Sequence, residues 1–161
     1  MIGKRNIHLE TLDKLYLVGI RVRCPAEEYG WQIPLAAKQL DARKKEIANV
    51  SNLHQQFGAF VVDASSEEED GYWVCHQVKK VEGVPEGMVS LRIPSQTYAV
   101  LKHRGSNMGI LNTYEELHTW IAKSDLKRRL GAWHLERFYH FKDTEQIEVD
   151  LMDTIHDEKR R

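Results

Sequence analysis

Apolar and polar positions alternate in several short segments of the chain, a spacing that is typical of β-strands. Leu15 to Arg23 is rich in apolar and β-branched residues and predicts a first strand. Pro25 ends it, because proline cannot donate a hydrogen bond to a neighbouring strand. Phe57 to Ala64 and Tyr72 to Val81 predict two more strands, which the polar turn at 65–71 joins as a hairpin.

Two longer segments have the spacing of amphipathic helices. Trp31 to Asn49 carries apolar residues at helical intervals, with lysines and arginines between them. Ile110 to Ser124 carries a more regular apolar stripe along one face. That stripe consists of Leu111, Tyr114, Leu117, Trp120 and Ile121.

The order of elements repeats in the second half of the chain. Met88 to His103 predicts a long strand interrupted at Pro94, and Trp133 to Phe141 and Gln146 to Met152 predict two strands after the second helix. Each half is therefore strand, helix, strand, strand, with a period of about 80 residues. The predicted fold class is α+β: two pseudo-symmetric β-α-β-β repeats form one antiparallel sheet, with two long helices on one face and a ligand cleft between them.

Length and composition favour one globular domain. The chain has 161 residues, 42% of them apolar and 29% charged, and no linker rich in proline, glycine or serine. We expect a single domain over residues 1–161, with a core from about Asp13 to Thr154. About a dozen residues precede the first predicted strand, too few for a helix-turn-helix, so no DNA-binding domain is expected.

Net charge and the two cysteines bear on nucleic-acid binding and on the cellular compartment. A net charge of −1 argues against direct nucleic-acid binding, and the basic clusters at 127–129 and 159–161 are typical of solvated helix ends and tails. No signal peptide or membrane-spanning segment is visible. Cys24 and Cys75 stand far apart, which suits a reducing compartment. We therefore expect a cytoplasmic protein without membrane contact.

Sequence motifs for metal, cofactor or nucleophile chemistry are absent. The eight histidines lack zinc-ligand spacing, and no nucleophile elbow or glycine-rich phosphate loop occurs. Cys75 and His76 are adjacent on a predicted strand and point to opposite faces, so they cannot form a catalytic pair. We predict no metal, no cofactor and no catalytic residue from these motifs.

Glu136 lies in an aromatic-rich strand. Alternation puts His134, Glu136 and Phe138 on one face, and Trp133 and its alternate neighbours on the other. From spacing alone, an exposed strand glutamate is the more common case. If the residue instead faces the groove, it is a buried carboxylate that needs a cation or a proton, and a ligand cation could be its partner.

Aromatic side chains are compatible with a cation-binding pocket, because their faces attract cations. The alternative is that Tyr114 and Trp120 are simply helix core. The candidate ligand-binding residues are Glu136, Trp31, Trp73, Tyr98, Tyr114, Trp120 and Phe138.

Four segments in order resemble the GyrI-like small-molecule-binding family, the effector-binding domain of AraC-type and MerR-type bacterial regulators. They are Ile93–Gly105, Ile110–Ser124, Leu135–Phe138 and Ile147–Leu151. The first half fits less specifically, at 17–19 and 72–74. The chain lacks the usual proline after its last strand, and it has Phe138 where tyrosine is common, which puts one polar contact in doubt.

The resemblance implies that Glu136 sits at the base of the cleft and meets lipophilic cations. It implies a small-molecule-binding domain in stand-alone form, with a multidrug-type ligand. Two other functions stay open: a hydrolase of strained electrophiles with Glu136 as general base, and a gyrase-inhibitor-like protein-interaction module. A protein partner or a homodimer also stays open.

Overall fold

The computed structural model describes residues 6–156. It contains eight strands and two long helices within that range. The strands are β1 (His8–Leu12), β2 (Leu15–Val22), β3 (Gln56–Val61), β4 (Tyr72–Val78), β5 (Val89–Ile93), β6 (Gln96–Gly105), β7 (Trp133–His140) and β8 (Ile147–Ile155). The helices are α1 (Tyr29–Arg43) and α2 (Ile110–Lys123), each preceded by a single 3-10 turn.

All eight strands form one antiparallel sheet in the order β1-β6-β8-β7-β3-β4-β2-β5. The first repeat is β2-α1-β3-β4 and the second is β6-α2-β7-β8. The repeats pair edge to edge through β3 and β7, where Gly58 lies opposite Glu136. The α+β class, the two repeats and the single antiparallel sheet are confirmed.

Two strands differ from the sequence prediction. β1 lies before the predicted start of the core at about Asp13 and pairs with β6. The segment predicted as one strand interrupted at Pro94 is two strands, because β5 pairs with β2 whereas β6 pairs with β1 and β8. Each repeat is thus preceded by a strand that completes the other repeat. Such long-range pairings leave no local pattern in the sequence.

The sheet curls strongly, because β5 at one edge continues into β6 beside the other edge through only Pro94 and Ser95. Two linking residues span only about 10 Å. The hydroxyl of Ser95 donates to the carbonyl of Leu12 on β1 at 3.0 Å, which fixes this closure. Leu12 and Ile93, from opposite ends of the strand order, belong to one apolar cluster on the inside of the curl.

Side chains alternate between that helix-free face and a helix face. On the helix face, α1 contributes Ala36, Ala37 and Leu40 to one apolar cluster with β2 and β4. α2 contributes Leu117 and Ile121 to a second cluster with β6 and β8. Both helices therefore pack on the same face of the sheet, as the sequence predicted. Between them the sheet is left open above the joint of β3 and β7.

Candidate functional site

A cavity of about 500 Å³ lies between α1 and α2, above the joint of the two repeats. Both helices, β3, β4 and β7 contribute to its walls, and the hairpin between β7 and β8 borders it through Phe141 and Thr144. Most of its lining is apolar or aromatic. Among the described residues that line it, Glu136 is the only one with a charged side chain.

Glu136 lies on the floor of the cavity and is only 8% exposed. Its two carboxylate oxygens each accept a hydrogen bond from a tyrosine hydroxyl. The hydroxyl of Tyr72, from β4, donates to Oε1 at 2.5 Å, and that of Tyr114, from α2, donates to Oε2 at 2.5 Å. The carboxylate is thus held by one donor from each repeat.

Gly58 gives Tyr72 the room to reach this carboxylate. A Cβ atom at Gly58 would lie 1.7 Å from the Tyr72 hydroxyl oxygen, far inside van der Waals contact. Since Gly58 is directly opposite Glu136 in the β3–β7 register, any side chain here would occupy the position of the hydroxyl. The glycine is therefore a requirement of the tyrosine-carboxylate hydrogen bond.

Burial sets the protonation behaviour of this group. Desolvation raises the pKa of Glu136, and the hydrogen bonds from Tyr114 and Tyr72 lower it and so offset part of that effect. Burial and the adjacent carboxylate raise the pKa values of Tyr72 and Tyr114 well above their usual range. Both phenols therefore keep their protons and donate to Glu136. When Glu136 is ionised, its carboxylate is the negative charge that the pocket presents to a cation.

A second carboxylate lies deeper, beneath α2. Asp153 is 1% exposed, with His118 Nε2 at 2.8 Å and Arg128 Nε at 3.4 Å from its Oδ2. Burial lowers the pKa values of His118 and His134, so Arg128 supplies the positive charge that faces Asp153. The ring of Tyr114 lies 5.6 Å from that of His118, which places this cluster behind the Glu136 site.

Three of the predicted ligand-binding residues, Glu136, Tyr114 and Phe138, line the cavity. The other four do not. Trp73 and Tyr98 lie in the apolar cluster on the helix-free face, because alternation turns Trp73 away from its neighbour Tyr72. Trp31 is 56% exposed on α1 and is not among the residues that line the cavity. Trp120 packs against the core of the second repeat.

Several cavity residues were missed in the sequence. They include Tyr72, Tyr29, Gln56, Phe60 and Phe141. The rings of Phe60 and Tyr72 stack at 5.9 Å and form part of one wall. The alternation along β4 could have indicated Tyr72. Its side chain points to the same face as those of Val74 and Val78, which is the helix face, whereas Trp73 and Cys75 point to the opposite face. Trp73 was predicted instead because the tryptophan ring attracts cations best, and the structure places it on the helix-free face.

Metal coordination has no site in residues 6–156: no group of three or more histidine, cysteine, aspartate or glutamate side chains is arranged to hold an ion. Over the same residues, neither helix is long and apolar enough to cross a membrane.

Comparison with known proteins gives a consistent picture. The model of the GyrI-like small molecule binding domain matches residues 5–152. The transcriptional regulator BrlR of Pseudomonas aeruginosa is 23% identical over 129 residues, which are 80% of this chain and 47% of BrlR. The chain thus spans about half the length of this relative.

Two solved structures share the fold over almost their whole length. SAV2435 bound to tetraphenylphosphonium superposes with a TM-score of 0.71 at 15% identity, and 97% of each chain is covered. The C-terminal domain of EcmrR superposes with a TM-score of 0.67 at 15% identity, covering 94% of this chain and 98% of that domain.

Proposed function

The chain belongs to the GyrI-like small-molecule-binding family, and from that premise we propose that it binds a lipophilic aromatic cation in the cavity between α1 and α2. Glu136 is the electrostatic partner of the ligand. Tyr72 and Tyr114 hold its carboxylate in place, and the apolar walls bury the rest of the molecule.

The observation that carries the proposal is a buried carboxylate without a countercharge. Within residues 6–156, the ion pairs of the protein include no lysine, arginine or histidine partner for Glu136. A buried charge is costly unless it is paired. The other buried acids on the sheet, Asp150 and Asp153, do have cationic neighbours. A cationic ligand supplies the missing charge at Glu136.

Aromatic walls suit the same ligand. Tyr29, Phe60, Phe138 and Phe141 line the cavity around the carboxylate. A desolvated cation over an aromatic ring gains on the order of 2 kcal/mol. A charge-assisted hydrogen bond or close ion pair adds about 1.5–3 kcal/mol. With burial of apolar surface, these contributions support micromolar binding.

The experiment compares two ligands of the same shape and opposite charge. Tetraphenylphosphonium, the ligand that SAV2435 holds, and tetraphenylborate are titrated into the protein by calorimetry at neutral pH. We expect micromolar binding of the cation and at least tenfold weaker binding of the anion. Equal affinity for both ions would show that the cavity recognises shape and apolar surface without charge, and would contradict the proposal.

We also propose that ligand binding serves regulation. BrlR is described as a transcriptional regulator, and EcmrR has been solved in a complex with DNA, which supports this role. In this role the domain is a cytoplasmic sensor whose occupied state acts on transcription. The test is a reporter of a candidate target promoter in cells with and without tetraphenylphosphonium. A response that is lost in Glu136→Gln supports the role, and a response that persists in this variant excludes it.

Hydrolysis is a second candidate, because burial raises the pKa of Glu136 and a basic carboxylate in a cavity can activate water. Both carboxylate oxygens already accept a tyrosine hydrogen bond, so a water would have to use a remaining lone pair. Steady release of product from an epoxide substrate, abolished in Glu136→Gln, would favour this function over binding alone.

A further inference from the structure

A second polar group faces the same cavity at some distance from Glu136. Gln56, the first residue of β3, lines the cavity and is 1% exposed. In the β3–β7 register it lies opposite Phe138, whereas Gly58 lies opposite Glu136. Gln56 is therefore two positions along the sheet from the residue that faces Glu136.

The orientation of the Gln56 amide is fixed by its neighbour on α1. Its Nε2 donates to the carbonyl oxygen of Ala37 at 3.0 Å, and a flipped amide would place two acceptors together. This hydrogen bond leaves Oε1 as the free end of the group. None of the hydrogen bonds found within residues 6–156 uses that oxygen.

Although the Gln56 side chain is almost fully buried, its Oε1 is not among the sealed-off atoms without a partner, so this oxygen is open to the cavity, where water or the N–H of a ligand can donate to it. Ala37 and Phe138, which flank Gln56, also line the cavity. The cavity lining therefore includes a charged acceptor, the carboxylate of Glu136, and a neutral one, Oε1 of Gln56.

We propose that Gln56 forms a second polar subsite that selects aromatic cations carrying a peripheral amino N–H donor. This inference rests on the proposed function and sharpens its ligand class: cations with free peripheral amino groups bind more tightly than cations of the same charge whose peripheral amino groups are fully alkylated. Both kinds of cation meet Glu136, but only the first also satisfies Gln56 Oε1.

Two flat tricyclic dyes test this selection. Proflavine and acridine orange are both monocations at neutral pH, and they differ in that the outer amino groups of acridine orange are dimethylated. Their affinities are measured by calorimetry for the wild type, for Gln56→Met and for Gln77→Met. Gln77 lies on β4, and its side chain alternates to the helix-free face together with Trp73 and Cys75, away from the cavity. Gln77→Met therefore controls for the general effect of replacing a strand glutamine by methionine.

We expect Gln56→Met to weaken proflavine binding about three- to tenfold, the value of one neutral hydrogen bond. Acridine orange binding should change less than twofold, and Gln77→Met should change neither. Equal loss for both dyes in Gln56→Met would make Gln56 a structural residue and overturn the inference. So would a proflavine affinity that this variant leaves unchanged.

If Gln56→Met does not fold, the affinities of the two dyes for the wild-type protein still test the inference. Proflavine should then bind at least threefold more tightly than acridine orange, and equal or weaker proflavine binding overturns the inference. The proposed function fails separately: in that case neither dye binds, or both bind equally well to Glu136→Gln. If both dyes need Glu136 but show no preference, only the inference about Gln56 fails.

Discussion

Glu136 is useful to a ligand only when it is ionised, and its surroundings decide when that occurs. Burial raises the pKa of the carboxyl, and the hydroxyls of Tyr72 and Tyr114 limit the rise. The tyrosines therefore do more than shape the pocket, because each keeps the carboxylate ionised at a lower pH than burial alone would allow.

Cation affinity should consequently depend on pH. Affinity should be weak at acidic pH and rise as pH increases through the folded pKa of Glu136, which lies above its usual value of 4.5. In Tyr72→Phe one donor is lost, the pKa rises further, and the midpoint of the affinity curve should move to higher pH. Calorimetric titrations at pH values from about 4 to about 8 measure both curves, because this range begins near the usual pKa of a glutamate and extends well above it.

Tyr139→Phe is the matched control, because this hydroxyl donates to Asp150 on the helix-free face, away from the cavity. Its midpoint should equal that of the wild type. A midpoint that stays in place in Tyr72→Phe would mean that the Tyr72 hydrogen bond does not govern the ionisation of Glu136.

Gly58 provides an independent route to the same hydrogen bond. In Gly58→Ala the new methyl group overlaps the Tyr72 hydroxyl, so the tyrosine has to move and releases Glu136. Overpacking of this kind costs about 1–3 kcal/mol of unfolding free energy. Urea denaturation should show this loss, and the midpoint of the curve of cation affinity against pH should move to higher pH, as in Tyr72→Phe, so that affinity falls at pH values below the new midpoint. Unchanged affinity in a folded Gly58→Ala protein would contradict the geometry of the floor.

Among the elements, β2 and β4 approach each other so closely at Gly19 that the contact requires a glycine. A Cβ at Gly19 on β2 would lie 2.0 Å from the carbonyl oxygen of Val74 on β4, and this is backbone that cannot move aside. By contrast, a Cβ at Gly30 on α1 would meet nothing within 4 Å. The two glycines therefore serve as a matched pair for the same substitution.

Gly19→Ala should force β2 and β4 apart and cost about 3 kcal/mol or more, as large steric clashes in a core do. Gly30→Ala should be neutral or stabilise by about 0.5–1 kcal/mol, because alanine is a better helix former. Thermal and urea unfolding measure both changes. Equal stability of the two variants would show that β2 and β4 are not in the close contact described.

The order of the elements could be predicted from the sequence better than the pairing of the strands. Strand alternation and helical periodicity predicted the order of elements in each repeat. They did not place Glu136 in the cleft: spacing alone favoured an exposed glutamate, and only the family resemblance implied the cleft. They could not give the partners of β1 and β5, because pairing over about 80 residues has no local signature. They also misplaced Trp73, since periodicity assigns residues to two faces without saying which face a cavity uses.

For the aromatic residues, the attraction of a ring for cations did not indicate which rings line the cavity. Trp31, Trp73 and Trp120 were predicted as ligand contacts, but their apolar area is used in the core or exposed on a helix. Smaller aromatics, such as Phe60 and Phe141, form the walls instead. Since no tryptophan lines the cavity among residues 6–156, calorimetry is a more direct readout of binding than tryptophan fluorescence.

For the whole molecule, the site exists only because two repeats meet. Glu136 comes from the second repeat, Gly58 and Tyr72 come from the first, and the β3–β7 pairing brings them together. Each helix covers its own repeat and leaves the joint open. A fold assembled in this way places Glu136, a buried carboxylate without an ion-pair partner among residues 6–156, at a cavity that a ligand can reach.

Glu136→Gln tests this account most directly, through calorimetry with tetraphenylphosphonium and the melting temperature of the ligand-free protein, with exposed Glu115→Gln as control. A raised folded pKa means that Glu136 lowers stability as pH rises from its unfolded pKa, so glutamine should relieve that cost at neutral pH.

The variant should melt at the same or a higher temperature without ligand. Its cation affinity should fall about tenfold or more, because the ligand loses its buried countercharge, and removing one member of a buried charge pair costs about 2 kcal/mol or more. A lower melting temperature together with unchanged cation affinity would identify Glu136 as a structural residue and contradict the assignment of the site.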